Sequence, residues 1–277
     1  MGGSSVLAAT ILMSVGSLLG LQLSNEDLVH QVSQVEQVLT TGGGWQDQVG
    51  AIYGGFKIAR SPKLLPLQVS VTPAHVSAAF IEAFQRRTFL VYTGRQRLAK
   101  NTLINALRKC ALIPVADPHS TVTALLQGAE SGFRLLASQA SSPGNCDDTV
   151  DSLAATLNEY WALKKEMAAG SEPAHIKTIL DDLRPLSEAV SLCGAGAGGF
   201  AVVILKRTFF LKDLQECIER MNVRVVDGSG SGGSGTSSNS SLLSDRKFSI
   251  HTVEVDSIGT KTNFFEENEK DVTYYII

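Results

Sequence analysis

The chain opens on the segment that restricts its folding most: Gly2-Gly3-Ser4-Ser5, then Val6 to Leu23, which are almost entirely apolar. A helix that is apolar on every side has to be covered on every side, by protein or by lipid. A secretory or membrane-inserted segment carries basic residues ahead of its apolar run. Here the first Lys or Arg of the chain is Lys57, and glycine and serine occupy that place. The pattern therefore predicts a buried helix over residues 5–22 rather than a leader or a membrane span. A chain of 277 residues, 44% hydrophobic and 18% charged, can form one or two domains around a proper core.

Beyond this helix, Ser24-x-x-Asp27 resembles a capping box, with Asp in place of the usual Glu. Leu28, Val32, Val35 and Leu39 follow at helical spacing, so residues 25–40 are expected to form an amphipathic helix with Glu36 on the flank of its stripe. Thr41-Gly42-Gly43-Gly44 breaks it, and a short helical stretch follows from Trp45 towards Gly54-Gly55. Strands are expected at 56–60, 67–73 and 89–94. Residues 97–190 read as mostly helical, including HIKTILDDLRPLSEAV. The run FAVVIL then reads as a strand, 211–221 as a helix, 222–226 as a strand, and FSIHTVEVDSI as a final strand. Between the last two, GSGSGGSGTSSNSS has the composition of a flexible linker without a role in chemistry.

Several function classes lose support on composition. A net charge of −3 gives no reason to expect a nucleic-acid partner. Cys110, Cys146, Cys193 and Cys217 form no C-x-x-C pair and fit reduced cytosolic thiols better than a disulfide framework or a zinc site.

Three constellations could carry chemistry. At the mouth of the first helix, Gly2-Gly3-Ser4-Ser5 could cradle an anion, with a serine hydroxyl on Mg²⁺, or could simply cap the helix. A Walker P-loop is absent. Glu36 and Asp47, eleven residues apart, could divide metal binding and hydroxyl activation, or be two solvated acids. The cluster Gly194-Ala195-Gly196-Ala197-Gly198-Gly199 opens into an apolar strand. It could be a turn or a place where backbone approaches a ligand.

Together these segments resemble the GHMP kinases. MGGSSVLAAT resembles their glycine- and serine-rich phosphate loop, and CGAGAGGFAVVIL their C-terminal signature. VEQVLTTGGGWQDQVGAIYGG and TFLVYTGRQRLAKNTL resemble the subgroup that phosphorylates the anomeric hydroxyl of sugars, which holds the L-fucose kinases with heptose kinases as near relatives. The resemblance covers roughly residues 1–206 and implies an α+β, two-lobed fold and transfer of the ATP γ-phosphoryl group with Mg²⁺. It implies that Ser4 or Ser5 contacts Mg²⁺ or phosphate, with Ser5 the hydroxyl assigned to the metal. Glu36 would be the acidic Mg²⁺ ligand and Asp47 the base for the sugar hydroxyl. Gly2 and Gly3 would meet the phosphates, and Gly194, Gly196, Gly198 and Gly199 would line the site's floor. Ala197 departs from a commoner glycine.

The implied layout has a first lobe over 1–72, a second over 73–226 with its last strand at 247–256, a linker at 227–246 and a polar tail at 257–277. The family's phosphate loop begins before the position of Met1, so the first lobe is expected to be incomplete. On that basis the chain alone is expected to be inactive and to self-associate through uncovered apolar surface. L-fucose phosphorylation in cytoplasmic GDP-fucose salvage is the expected activity. The rivals are another sugar, such as a heptose, and a non-catalytic fragment. Neither a membrane nor a nucleic acid is expected as a partner.

Overall fold

The computed structural model describes residues 2–39, 44–62, 67–94, 118–141, 144–168, 170–194, 196–228 and 247–257. The expected helix over RLAKNTLINALRK lies outside these residues, and so does the linker expected at 227–246 except for residues 227 and 228, which are helical. The chain divides into two compact units: Met1–Val76 with Leu136–Ser141 and Glu254–Ile277, and Ser77–Leu135 with Ser142–Val253.

The first unit holds α1 (Gly3–Leu18), α2 (Asn25–Val38), α3 (Gln46–Ile52), β1 (Lys57–Arg60) and β2 (Ser70–Pro73). Helix α2 starts where its capping box predicts. Ser24 Oγ accepts from the Asp27 amide at 3.1 Å, and the Ser24 amide donates to Asp27 Oδ2 at 3.2 Å. Ala9, Leu28, Val29, Val32, Val49 and Ile52 make the core among the three helices. The antiparallel ribbon β1–β2 runs from Lys57 opposite Pro73 to Arg60 opposite Ser70.

Two expectations fail here. The first helix is not buried all round: only Ser5, Ala9 and Gly16 are buried, while Leu7, Ile11, Val15 and Leu18 are exposed. Among the described residues α2 and α3 pack against it, and they cover one side. The stripe of α2 also turns towards its C-terminus. Leu28, Val29, Val32 and Glu36 are buried, whereas Val35 and Leu39 face solvent. Positions 28, 32 and 36 continue one helical row, so the acid occupies the place the apolar pattern had assigned to its neighbours.

The second unit is an antiparallel sheet in the order β4-β5-β3-β6, formed by Ser187–Leu192, Phe200–Leu205, Thr88–Tyr92 and Ser249–Thr252. Its helices are α4 (Ala78–Arg87), α6 (Cys146–Met167), α7 (Ala174–Leu183) and α8 (Leu211–Gly228), while α5 (Pro118–Ser141) precedes α6. The core joins Val91, Leu192, Ala201 and Val203 of the sheet to Trp161, Ile176, Leu180, Leu214, Ile218 and Met221 of the helices. Arg87 ties three elements together. It donates to the Leu205 carbonyl at 2.9 Å and pairs with Asp147 at 3.1 Å and Asp151 at 2.5 Å.

Two further expectations change. The helical reading of HIKTILDDLRPLSEAV ends at Leu183, and β4 begins at Ser187, because Ala189, Val190 and Leu192 pair with β5. Residues 222–226 are helix, not strand. Leu214, Cys217, Ile218 and Met221 hold α8 on the core, and the same helix runs on to Gly228.

Candidate active site

Helix α1 begins with Gly2 in the left-handed region, at φ 62°, where an L side chain is disfavoured. The first intrahelical bond runs from the Val6 amide to the Gly2 carbonyl at 2.9 Å. The amides of Gly3, Ser4 and Ser5 therefore have no partner within the helix. The first turn of α1 itself holds no acidic residue, so the positive end of its dipole is open to anionic groups brought from elsewhere.

Glu36 reaches this mouth from the last turn of α2. Its side chain is buried, and Oε1 accepts from Ser4 Oγ at 2.9 Å and from Ser5 Oγ at 2.7 Å. Oε2 accepts from Gln48 Nε2 of α3 at 2.6 Å. Hydroxyl and amide donors thus take the place of water around a carboxylate withdrawn from solvent. The other amide atom, Gln48 Oε1, is buried and has no hydrogen-bond partner among the described residues.

This donor set fits Mg²⁺. Two hydroxyls and a carboxylate are hard oxygens, and Mg²⁺ is commonly held by one or two carboxylates with phosphate and water completing its shell. Among the described residues no group of three or more His, Cys, Asp and Glu gathers, so phosphate and water would supply the other positions. The orphaned Gln48 oxygen is an acceptor that such a water could satisfy.

Asp47 is exposed in the first turn of α3. A Cβ placed on Gly2 would lie 3.5 Å from Asp47 Cβ and 3.7 Å from its Cγ. The acid therefore borders the mouth of α1, and its neighbour Gln48 turns inward to Glu36. Asp47, Glu36, Ser4, Ser5 and Gly2 come together although up to 45 residues separate them in the chain; Gly3 sits exposed at the same mouth.

The glycine cluster lies in the second unit, as the connection from β4 to β5. Gly194, Gly196, Gly198 and Gly199 all have positive φ, and so does Ala197 at 59°. The Ala197 amide donates to the Ser171 carbonyl at 2.6 Å, and Thr93 donates to the Gly199 carbonyl through its amide at 2.9 Å and its hydroxyl at 2.8 Å. Buried Lys164 of α6 donates to the Gly194 carbonyl and stacks its ammonium on Tyr160 and Trp161, 5.3 and 5.5 Å from the ring centroids. Burial pushes the Tyr160 hydroxyl and the Cys193 thiol up from their ordinary pKa values.

Sequence reasoning missed Gln48 and Lys164. The one available signal for Gln48 was its place directly after Asp47. For Lys164 it was a cation three residues beyond a Tyr-Trp pair near a helix end.

This mixed α and β architecture is the GHMP kinase fold, and residues 1–55 match the family described as GHMP kinases N terminal domain. The chain is 30% identical over 224 residues to a bifunctional fucokinase/GDP-fucose pyrophosphorylase of Arabidopsis thaliana, an alignment covering 79% of this chain and 20% of that protein. Its fold is similar to L. major mevalonate kinase, solved with R-mevalonate, at a TM-score of 0.55, 17% identity and coverage of 79% and 60%. It is also similar to a D-glycero-D-manno-heptose 1-phosphate kinase of Bacteroides thetaiotaomicron, at 0.51, 21% identity and coverage of 80% and 56%. The chain spans about a fifth of the length of the curated relatives it matches. Among the described residues no helix is long and apolar enough to cross a membrane.

Proposed function

We propose that this chain belongs to an ATP-dependent sugar kinase that phosphorylates L-fucose at the anomeric hydroxyl, giving fucose 1-phosphate for cytosolic GDP-fucose salvage. The observation that carries the reading is Glu36 held beneath the mouth of α1 by Ser4 and Ser5, with Asp47 against Gly2 at the same mouth. The fucokinase relative supports the choice of sugar.

In this reading Gly2, Gly3 and Ser4 bind ATP phosphates through backbone amides, and Ser5 and Glu36 hold Mg²⁺. Bound Mg²⁺ would neutralise charge on the phosphoryl group being transferred. Asp47 orients the sugar hydroxyl and accepts its proton, an exposed carboxylate at the edge of an anion-binding mouth. Gly194, Gly196, Gly198 and Gly199 are assigned to the nucleotide by resemblance, with Lys164 holding their loop from behind. The lobe division, 1–72 against 73–226 with 247–256, belongs to the same proposal.

The fold shared with a heptose 1-phosphate kinase favours a heptose as the second reading. The test supplies the full-length protein that carries this chain with Mg²⁺-ATP and either L-fucose or a D-glycero-D-manno-heptose whose anomeric hydroxyl is free, and follows ADP release. Release dependent on L-fucose supports the first reading, and release dependent on the heptose moves the assignment to the second. Mg²⁺-ATP binding with neither sugar turned over would keep the phosphate and metal assignments and withdraw the sugar.

A further inference from the structure

We propose that Gln48 is a positioning residue for the metal: its Nε2 fixes the Glu36 carboxylate, and its Oε1 accepts a hydrogen bond from a metal-bound water. The proposal rests on the reading of Glu36 as a Mg²⁺ ligand. A carboxylate only accepts hydrogen bonds, so the Gln48 atom 2.6 Å from Glu36 Oε2 is the amide nitrogen. That assigns the oxygen to the other branch of the amide, where it is buried and has no partner among the described residues. Gln48 as a whole is 1% exposed, so bulk solvent does not satisfy it. Leaving a buried carbonyl oxygen unpaired is costly, and native interiors rarely do so without a water or an ion at hand.

A packing role alone does not account for this arrangement. Position 48 lies beside Val49 in a helix that buries Val49 and Ile52, and a methionine there would fill similar volume with no orphaned atom. Nor does Glu36 need a third hydrogen bond merely to be buried, since Ser4 and Ser5 already donate to Oε1. What the amide adds is direction. The serines fix one carboxylate oxygen from α1 and Gln48 fixes the other from α3, so the plane of the carboxylate is held from two helices. The remaining amide oxygen is one covalent branch from that contact, within the span of a single bridging water. Mg²⁺ keeps several waters when it binds through few protein ligands, and each is a hydrogen-bond donor.

The test uses the 277-residue chain and Mn²⁺ as the probe, with its affinity read by electron paramagnetic resonance and its bound waters by water-proton relaxation. Gln48→Met removes both polar atoms at nearly constant volume. The expected result is Mn²⁺ affinity lower by at least about tenfold and altered relaxation of the bound waters, with the melting temperature unchanged or raised. Glu36→Gln, measured alongside, separates the two ideas. If it leaves Mn²⁺ binding intact, or if the parent chain binds no Mn²⁺, the metal reading itself falls and the inference with it. If Glu36→Gln weakens Mn²⁺ but Gln48→Met does not, only the role of Gln48 is overturned. Gln48→Leu is the second variant: should both Gln48 substitutions unfold the chain, Gln48 is a folding residue and the positioning assignment is wrong.

Discussion

Ser5 Oγ lies 2.7 Å from Glu36 Oε1, and both residues are buried although 31 positions separate them. The contact joins the first turn of α1 to the last turn of α2, two helix ends of opposite polarity. An acid at a helix C-terminus opposes the local dipole, while the same acid beside a helix N-terminus is favoured. Glu36 therefore depends for its electrostatic support on α1 and not on its own helix.

Glu36→Gln keeps the shape of the side chain and removes a charged oxygen ligand. The expected outcome is a loss of Mg²⁺-dependent nucleotide binding on the order of tenfold or more, with the fold retained. Isothermal titration with ATP, with and without Mg²⁺, checks this: a loss equally large without the metal would assign Glu36 to the nucleotide instead.

Asp47→Asn should separate binding from turnover. Asp47 is exposed, so stability should stay within about 0.5 kcal/mol and Mg²⁺-ATP affinity should hardly change. In a turnover assay of the full-length enzyme kcat should fall by roughly 10²–10⁴. Near-normal kcat would remove Asp47 from proton transfer.

The glycine cluster makes opposite predictions at adjacent positions. Ala197 holds a left-handed backbone, so Ala197→Gly should stabilise the chain by about 0.5–1 kcal/mol after the entropy cost of glycine. At Gly196 a Cβ would stand 2.7 Å from Ser171 Cβ and 2.8 Å from its carbonyl oxygen, at φ 88°. Gly196→Ala should therefore cost about 2–4 kcal/mol. Urea denaturation of the two variants decides both.

Acid sensitivity should trace to Asp147. Burial raises its pKa, but the Arg87 hydrogen bond and the charges of Arg86 and Arg87 outweigh burial and hold the carboxyl below its ordinary value of 3.8. A folded value below the unfolded one gives stability that is present above about pH 3.8 and is lost as the pH falls through the folded value. Melting temperatures recorded on acidification should fall in that window. Asp147→Asn should lower the melting temperature at neutral pH and flatten the acid limb; an unchanged limb would place the sensitivity elsewhere.

What the chain determines locally was legible in its residues. Ser24 and Asp27 form their capping box because its donors and acceptors lie within one turn. The glycine before α1 sits in the left-handed region that glycine tolerates. Ser4, Ser5, Glu36 and Asp47 could be singled out because their residue types admit phosphate and metal chemistry, and the resemblance to the GHMP kinases chose that reading over helix caps and solvated acids.

Tertiary packing decided the rest, since burial depends on what lies across from a residue and periodicity records only its own helix. Val35 and Leu39 read as core, yet they face solvent because α1 and α3 meet α2 along the row of Leu28, Val32 and Glu36. SEAV reads as a helical continuation, but its hydrogen bonds go to β5, a partner supplied from residues 200–205. Gln48 and Lys164 are ordinary polar letters in sequence. Their meaning comes from contacts with Glu36, 12 positions away, and Gly194, 30 positions away, which exist only once helix meets helix and helix meets loop.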